Sequence, residues 1–92
     1  MNWAYLLRCR DGSLYAGWTN QLQARLAAHN NGTGAKYTRS RRPVALAWAC
    51  AFAEKSDAMA QEARLKRMTK AQKEALAAAW RAAQGELPHD EA

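Results

Sequence analysis

Cysteine is scarce in this sequence. Cys9 and Cys50 are the two cysteines among 92 residues. Neither belongs to a Cys-x-x-Cys pair or a Cys/His cluster, which argues against a zinc site and leaves both read as reduced core thiols. Long apolar stretches are also missing. The N-terminus has no apolar run of signal-peptide length, and no segment can span a bilayer, so the expected setting is the cytoplasm, with no membrane partner. The stretch Gly32-Thr33-Gly34-Ala35-Lys36 has the residue types of a phosphate loop without the Walker spacing, and a nucleotide-binding loop is rejected on that ground.

Acidic residues are few, and those present are unevenly placed. There are eight, against fourteen Lys and Arg, and Glu86, Asp90 and Glu91 fall in the last eight residues. Residues 1–84 therefore carry fourteen basic and five acidic groups, a net charge of +9. A small body with that excess attracts polyanions and gains from counterion release at each phosphate it neutralises. The length fits one domain, residues 1–84, followed by an acidic, flexible tail at 85–92. So short a chain has no room for separate binding and catalytic modules.

The pattern along the chain predicts an α+β fold ordered β-β-α-β-α-α, with a small three-stranded antiparallel or mixed sheet flanked by helices. Trp3 to Cys9 reads as a strand, Asp11-Gly12 as a hairpin turn in which both residues tolerate positive φ, and Ser13 to Trp18 as the return strand. Thr19 or Asn20 is expected to cap a helix running to about Asn30. His29 to Pro43 reads as a basic loop. Val44 to Phe52 is an apolar run that its length and Pro43 assign to a strand. Ser56 is expected to cap a second helix reaching Arg67. Thr69 and Gln72 form a capping-box pair for a third helix, Lys70 to about Ala83.

Several residues stand in an order that carries chemistry. Tyr5 lies in Trp3-Ala4-Tyr5 and Tyr15 in Tyr15-Ala16-Gly17. Arg25 follows Tyr15 by ten residues, His29 lies one helical turn further, and Glu62 sits in Ala60-Gln61-Glu62-Ala63-Arg64-Leu65-Lys66. Taken singly, each has an ordinary role. The tyrosines suit strand positions with a wet hydroxyl, Arg25 a solvated helix face, and His29 a helix end. Glu62 is more telling, because it shares a helical row with Ala58 and Leu65 and so faces the core side. A buried carboxylate needs a partner, which a metal or Arg25 would supply.

Taken together, the set resembles the GIY-YIG nuclease superfamily over about residues 3–80, with Trp3 where the first motif has glycine. The chain is similar to small stand-alone bacterial members and to the nuclease domain of the Slx structure-specific endonuclease. The resemblance implies a metal-dependent DNA endonuclease, structure-specific and linked to repair or recombination. It implies Tyr5, Tyr15, Arg25, His29 and Glu62 as catalytic residues, with Glu62 holding Mg²⁺ or, in its place, Mn²⁺. Tyr15 is a candidate general base, although a tyrosine at its ordinary pKa of about 10 is a poor one at neutral pH. The choice among Tyr5, Tyr15 and His29 stays open.

DNA is the expected partner, held mostly through phosphates by Lys36, Tyr37, Arg39, Arg41 and Arg42 in the basic loop and by Lys66 and Lys70 between the later helices. Tyr37 is read as able to stack on an unpaired base. No protein partner is indicated. The alternative function is a catalytically inactive nucleic-acid-binding module. A weaker reading, a protein-interaction module, requires Trp18, Trp48 or Trp80 to be exposed.

Overall fold

The computed structural model describes residues 1–84. The expected tail at 85–92 lies outside the described residues. Strands β1 (Asn2–Arg8) and β2 (Leu14–Thr19) form the hairpin, followed by helices α1 (Leu22–Asn31) and α2 (Lys36–Arg39). Strand β3 (Ala45–Phe52) and helices α3 (Lys55–Arg67) and α4 (Lys70–Gln84) complete the chain. The sheet order is β2-β1-β3 and both pairings are antiparallel, which settles the choice between antiparallel and mixed.

The sheet is covered on both faces, so the central strand β1 is buried along Trp3 to Leu7. Ala4, Leu6, Leu14 and Ala16 meet Leu65 of α3 and Ala77 of α4 on one face. Trp3, Tyr5 and Leu7 meet Leu22 of α1 and Val44 on the other. Side chains alternate between the faces of a strand, yet Leu46 and Trp48 pack into different clusters. A register shift between Leu6 and Leu7 explains this, since Leu6 pairs with Trp48 and Leu7 with Leu46, leaving Ala47 as the extra residue of a bulge.

Local chemistry agrees with the sequence at some ends and departs from it at others. The capping box forms in both directions: Thr69 N–H donates to Gln72 Oε1 at 2.9 Å, and Gln72 N–H donates to Thr69 Oγ1 at 3.2 Å. In the hairpin turn only Gly12 takes a positive φ, 88°. Asp11 instead accepts from Ser13 N–H at 3.0 Å and from the Ser13 hydroxyl at 2.6 Å. Neither Thr19 nor Asn20 caps α1. Gln21 holds the N-cap position, and the Thr19 hydroxyl takes the Gln21 N–H at 3.0 Å. Glu54 stands at the N-cap of α3, which places Ser56 within its first turn. The expected basic loop contains α2, a helix of four residues. Cys9 is buried, Cys50 is half-buried, and both are free thiols. Trp18, Trp48 and Trp80 are each half-buried, so they form no exposed tryptophan patch.

Candidate active site

Tyr5 stands in the middle of the central strand and is 2 % exposed. Opposite it in the register is Gly17 of β2. A Cβ at Gly17 would come within 2.5 Å of the Tyr5 hydroxyl oxygen, so the ring lies over the β2 backbone only because no side chain is there. The hydroxyl ends 3.0 Å from His29 Nε2, on α1. Leu22 and His29 are the buried residues of α1, and one helical face thus carries a core leucine and a site histidine.

His29 is fully buried, and its other nitrogen is also taken: Nδ1 lies 2.8 Å from the Thr38 hydroxyl on α2. Thr38, likewise fully buried, donates its one proton to the Ala35 carbonyl at 3.2 Å. The imidazole tautomer sets which partner donates in each of these two contacts. Gly34 makes room for this arrangement, since a Cβ there would lie 2.5 Å from His29 Nδ1 and 2.7 Å from His29 Cα.

Arg25, one turn before His29 on α1, donates from Nη2 to the Gly34 carbonyl at 3.0 Å and is half-buried. Its charge is felt by both neighbours. Burial pushes the Tyr5 hydroxyl up to about 12, with Tyr15 and Glu62 adding to the rise and the Arg25 guanidinium opposing it. Burial holds His29 down at about 4, and Arg25 pushes it the same way. Tyr5 and His29 are thus a neutral pair across the whole neutral range.

Tyr15, on β2, is half-buried and meets the His29 ring edge-on at 5.4 Å between centroids. Its ring also stacks on Tyr37 of α2, at 5.6 Å and 23°. The Arg41 guanidinium lies 3.9 Å over the Tyr37 ring. Arg41 is fixed in turn by an ion pair to Asp11 at 3.0 Å and by donation to the Tyr37 carbonyl at 2.9 Å. Tyr37 and Arg41, both read from sequence as gripping DNA, are therefore engaged with Tyr15, Asp11 and each other.

Glu62 shares its face of α3 with the fully buried Ala58 and Leu65, as its helical row implies. Its side chain keeps 21 % exposure and pairs with Lys66 at 3.2 Å. Arg42 donates from Nε to the Arg39 carbonyl at 2.8 Å, while the Lys36 and Arg39 side chains extend from an exposed turn. Lys70 reaches the Gly12 carbonyl at 2.7 Å and Glu74 at 3.0 Å, bracing α4 against the hairpin.

The donor set is sparse. Among the described residues no group of three or more His, Cys, Asp or Glu could cage a metal. His29 has both nitrogens occupied and is no ligand. What remains is one carboxylate, Glu62, with solvent access. That fits Mg²⁺, which keeps several waters and commonly takes one or two carboxylates plus a substrate phosphate.

The structure thus brings Tyr5, Tyr15, Arg25 and His29 into mutual reach, with Glu62 close enough for its charge to act on Tyr5. Sequence reasoning passed over Thr38, Gly34 and the contact made by Gly17. Gly17 stood in the quoted Tyr15-Ala16-Gly17 motif, where the absence of a side chain was the available clue. Thr38 and Gly34 sat in a stretch read as loop and gave none.

Comparison with known proteins shows the family. Residues 1–75 match the GIY-YIG catalytic domain family. A UPF0213 protein of Clostridium perfringens is 52 % identical over 73 residues, covering 79 % of this chain and 78 % of the relative. A UPF0213 protein of Bacillus pumilus is 59 % identical over 70 residues, covering 76 % of this chain and 71 % of the relative. The solution NMR structure of a UPF0213 protein from Bacillus halodurans superposes with a TM-score of 0.55 at 41 % identity, covering 86 % of this chain and 85 % of that one.

Proposed function

The chain belongs to the GIY-YIG catalytic-domain family, a nuclease superfamily, and from that premise we propose that it is a Mg²⁺-dependent endonuclease that hydrolyses phosphodiester bonds in DNA. The observation that carries the reading is the buried Tyr5–His29–Thr38 chain, with Tyr15, Arg25 and Glu62 gathered around it. Perturbed titratable groups gathered in this way, His29 beside Arg25 and Tyr5 under the charge of Glu62, are what a catalytic site assembles.

Hydrolysis needs an activated water, relief of charge at phosphorus and help for the leaving oxygen. Tyr5 is a weak candidate for the base, because burial keeps its proton on and its hydroxyl is committed to His29. His29 is weaker still, being buried and engaged on both nitrogens. Tyr15, half-buried beside His29, is left to accept the proton of the attacking water, a role it fills as the phenolate. Arg25 spends donors on the Gly34 carbonyl and the Tyr5 hydroxyl and offers what is left of its fork to phosphate oxygens, where negative charge builds in the transition state. Glu62 would hold Mg²⁺, or Mn²⁺ in its place, which when bound neutralises phosphate charge as a Lewis acid. Lys36, Arg39 and Arg42 supply phosphate contacts beside the site, so grip depends on backbone charge more than on base sequence. A role in repair or recombination belongs to the same proposal.

The test is cleavage of duplex, single-stranded, flap and branched DNA with Mg²⁺ or Mn²⁺, comparing wild type with Glu62→Ala. Cleavage that needs the metal and Glu62 supports the proposal. Equal cleavage by both proteins refutes the site. Salt-sensitive binding without cleavage under either metal would instead point to an inactive DNA-binding module.

A further inference from the structure

Besides carrying Lys36 and Arg39, the one-turn helix α2 touches Tyr15 directly and reaches Tyr5 through His29. Tyr37 stacks on Tyr15, and the next residue, Thr38, meets His29, which holds Tyr5. Thr38 is a hydroxyl residue in a fully buried position, with its own proton used on the Ala35 carbonyl. With its proton on Ala35, the hydroxyl faces the ring as an acceptor.

We infer that Thr38 is a positioning residue of the site: by accepting the Nδ1 proton of His29 it fixes the tautomer in which Nε2 accepts from Tyr5, so Tyr5 turns its proton inward and presents oxygen lone pairs to the reaction space. The inference rests on the nuclease reading for what those lone pairs then do, which is to accept a hydrogen bond from the attacking water and hold it in line with phosphorus. In the opposite tautomer Nε2–H donates to the Tyr5 oxygen, and the Tyr5 proton swings outward. The same atoms then offer a donor where the water needs an acceptor.

Two features of the pocket wall favour the assignment. Gly34 leaves the Nδ1 edge of the ring open to Thr38, and Arg25 donates to the Gly34 carbonyl at 3.0 Å, which ties that wall to the arginine. Removing the Thr38 hydroxyl would leave an Nδ1 proton buried without an acceptor, which is costly, and the ring escapes that cost by moving its proton to Nε2.

The tautomer is read directly from long-range proton–nitrogen NMR correlations of the imidazole in protein carrying ¹⁵N-histidine. His29 is distinguished from His89 by the signals lost in His29→Gln. Wild type is expected to carry its proton on Nδ1. Thr38→Val, which is nearly isosteric, is expected to shift the population toward Nε2–H, and Thr38→Ser to restore the wild-type pattern. The rate of cleavage by Thr38→Val should fall about 10- to 100-fold, as for other partners that orient a histidine, with KM for DNA unchanged and Thr38→Ser recovering the rate. Wild type protonated on Nε2, or Thr38→Val protein that keeps its proton on Nδ1, overturns the inference. Should Thr38→Val not fold, the wild-type and Thr38→Ser spectra decide it alone. Because the spectra need no substrate, a protein that never cleaves DNA refutes the nuclease reading and leaves the tautomer result to stand or fall separately.

Discussion

The Tyr5 hydroxyl lies 3.0 Å from His29 Nε2, inside a protein of which residues 1–84 carry a net charge of +9. Burial and the neighbouring Arg25 hold that histidine near 4, below its ordinary 6.5. Between these values the unfolded chain binds a proton at His29 that the folded chain refuses. Stability is therefore full above pH 6.5 and declines as pH falls toward about 4. The loss is expected to be on the order of 1–3 kcal/mol. Urea midpoints measured across that range should fall for wild type and stay flatter for His29→Gln, which has nothing to titrate.

Gly17 and Gly34 are sites where one methyl group should damage the site. An added Cβ would fall 2.5 Å from the Tyr5 oxygen at Gly17 and 2.5 Å from His29 Nδ1 at Gly34. Gly17→Ala must push Tyr5 off His29, and Gly34→Ala must push α1 and α2 apart, because the backbone at His29 Cα is also in the way. Each should cost about 1–3 kcal/mol and cut cleavage more than it cuts DNA binding. Thermal denaturation paired with cleavage rates measures both.

The basic residues should separate into two groups. Lys36 and Arg39 project from an exposed turn. Replacing either with Ala should weaken DNA binding similarly for all sequences and reduce the slope of log affinity against log salt by about 1. Arg41 is committed to Asp11 and Tyr37. Arg41→Ala should lower the melting temperature and loosen Tyr15, and Asp11→Asn should reproduce part of the same effect. Affinity titrations at several salt concentrations, beside melting curves, distinguish the groups.

Glu74 contributes to stability at acid pH. Arg8 grips it through both nitrogens, with Nη2–Oε1 at 2.6 Å, and Lys70 adds a contact at 3.0 Å. The Arg8 hydrogen bond, followed by Lys70, holds its carboxyl down at about 2 from an ordinary 4.5. The stabilisation is present above pH 4.5 and is lost as pH falls toward 2. Glu74→Gln should flatten the acid-unfolding curve in that window and lower the melting temperature at neutral pH, less so in high salt.

Much of the architecture was legible because it depends on neighbours in sequence. The Thr69–Gln72 pair forms as its spacing implies, Gly12 makes the hairpin turn, and Glu62 shares the face of Ala58 and Leu65. What escaped depends on contacts between distant segments. Helix α2 is a single turn, too short for hydrophobic periodicity to show. Thr38 looks like a surface residue in a basic stretch until His29, nine positions away, closes over it. The ion pair that Arg41 makes with Asp11 joins the basic stretch to the hairpin turn, thirty residues away in sequence. Thr19 is a good N-cap residue by type, yet its hydroxyl is used on the Gln21 N–H, ahead of the first turn of α1.

The central claim is that Tyr15 and Glu62 serve one reaction at one site, and the most direct measurement is the single-turnover cleavage rate of the Tyr15→Phe, Glu62→Gln double variant against each single variant, at DNA concentrations that saturate all of them. Each single change is expected to slow cleavage by about 10²- to 10⁴-fold. Residues acting as a unit do not add, so the double variant should be little slower than the worse single one. Losses that multiply in the double variant, or a single variant that cleaves as fast as wild type, would contradict the shared site.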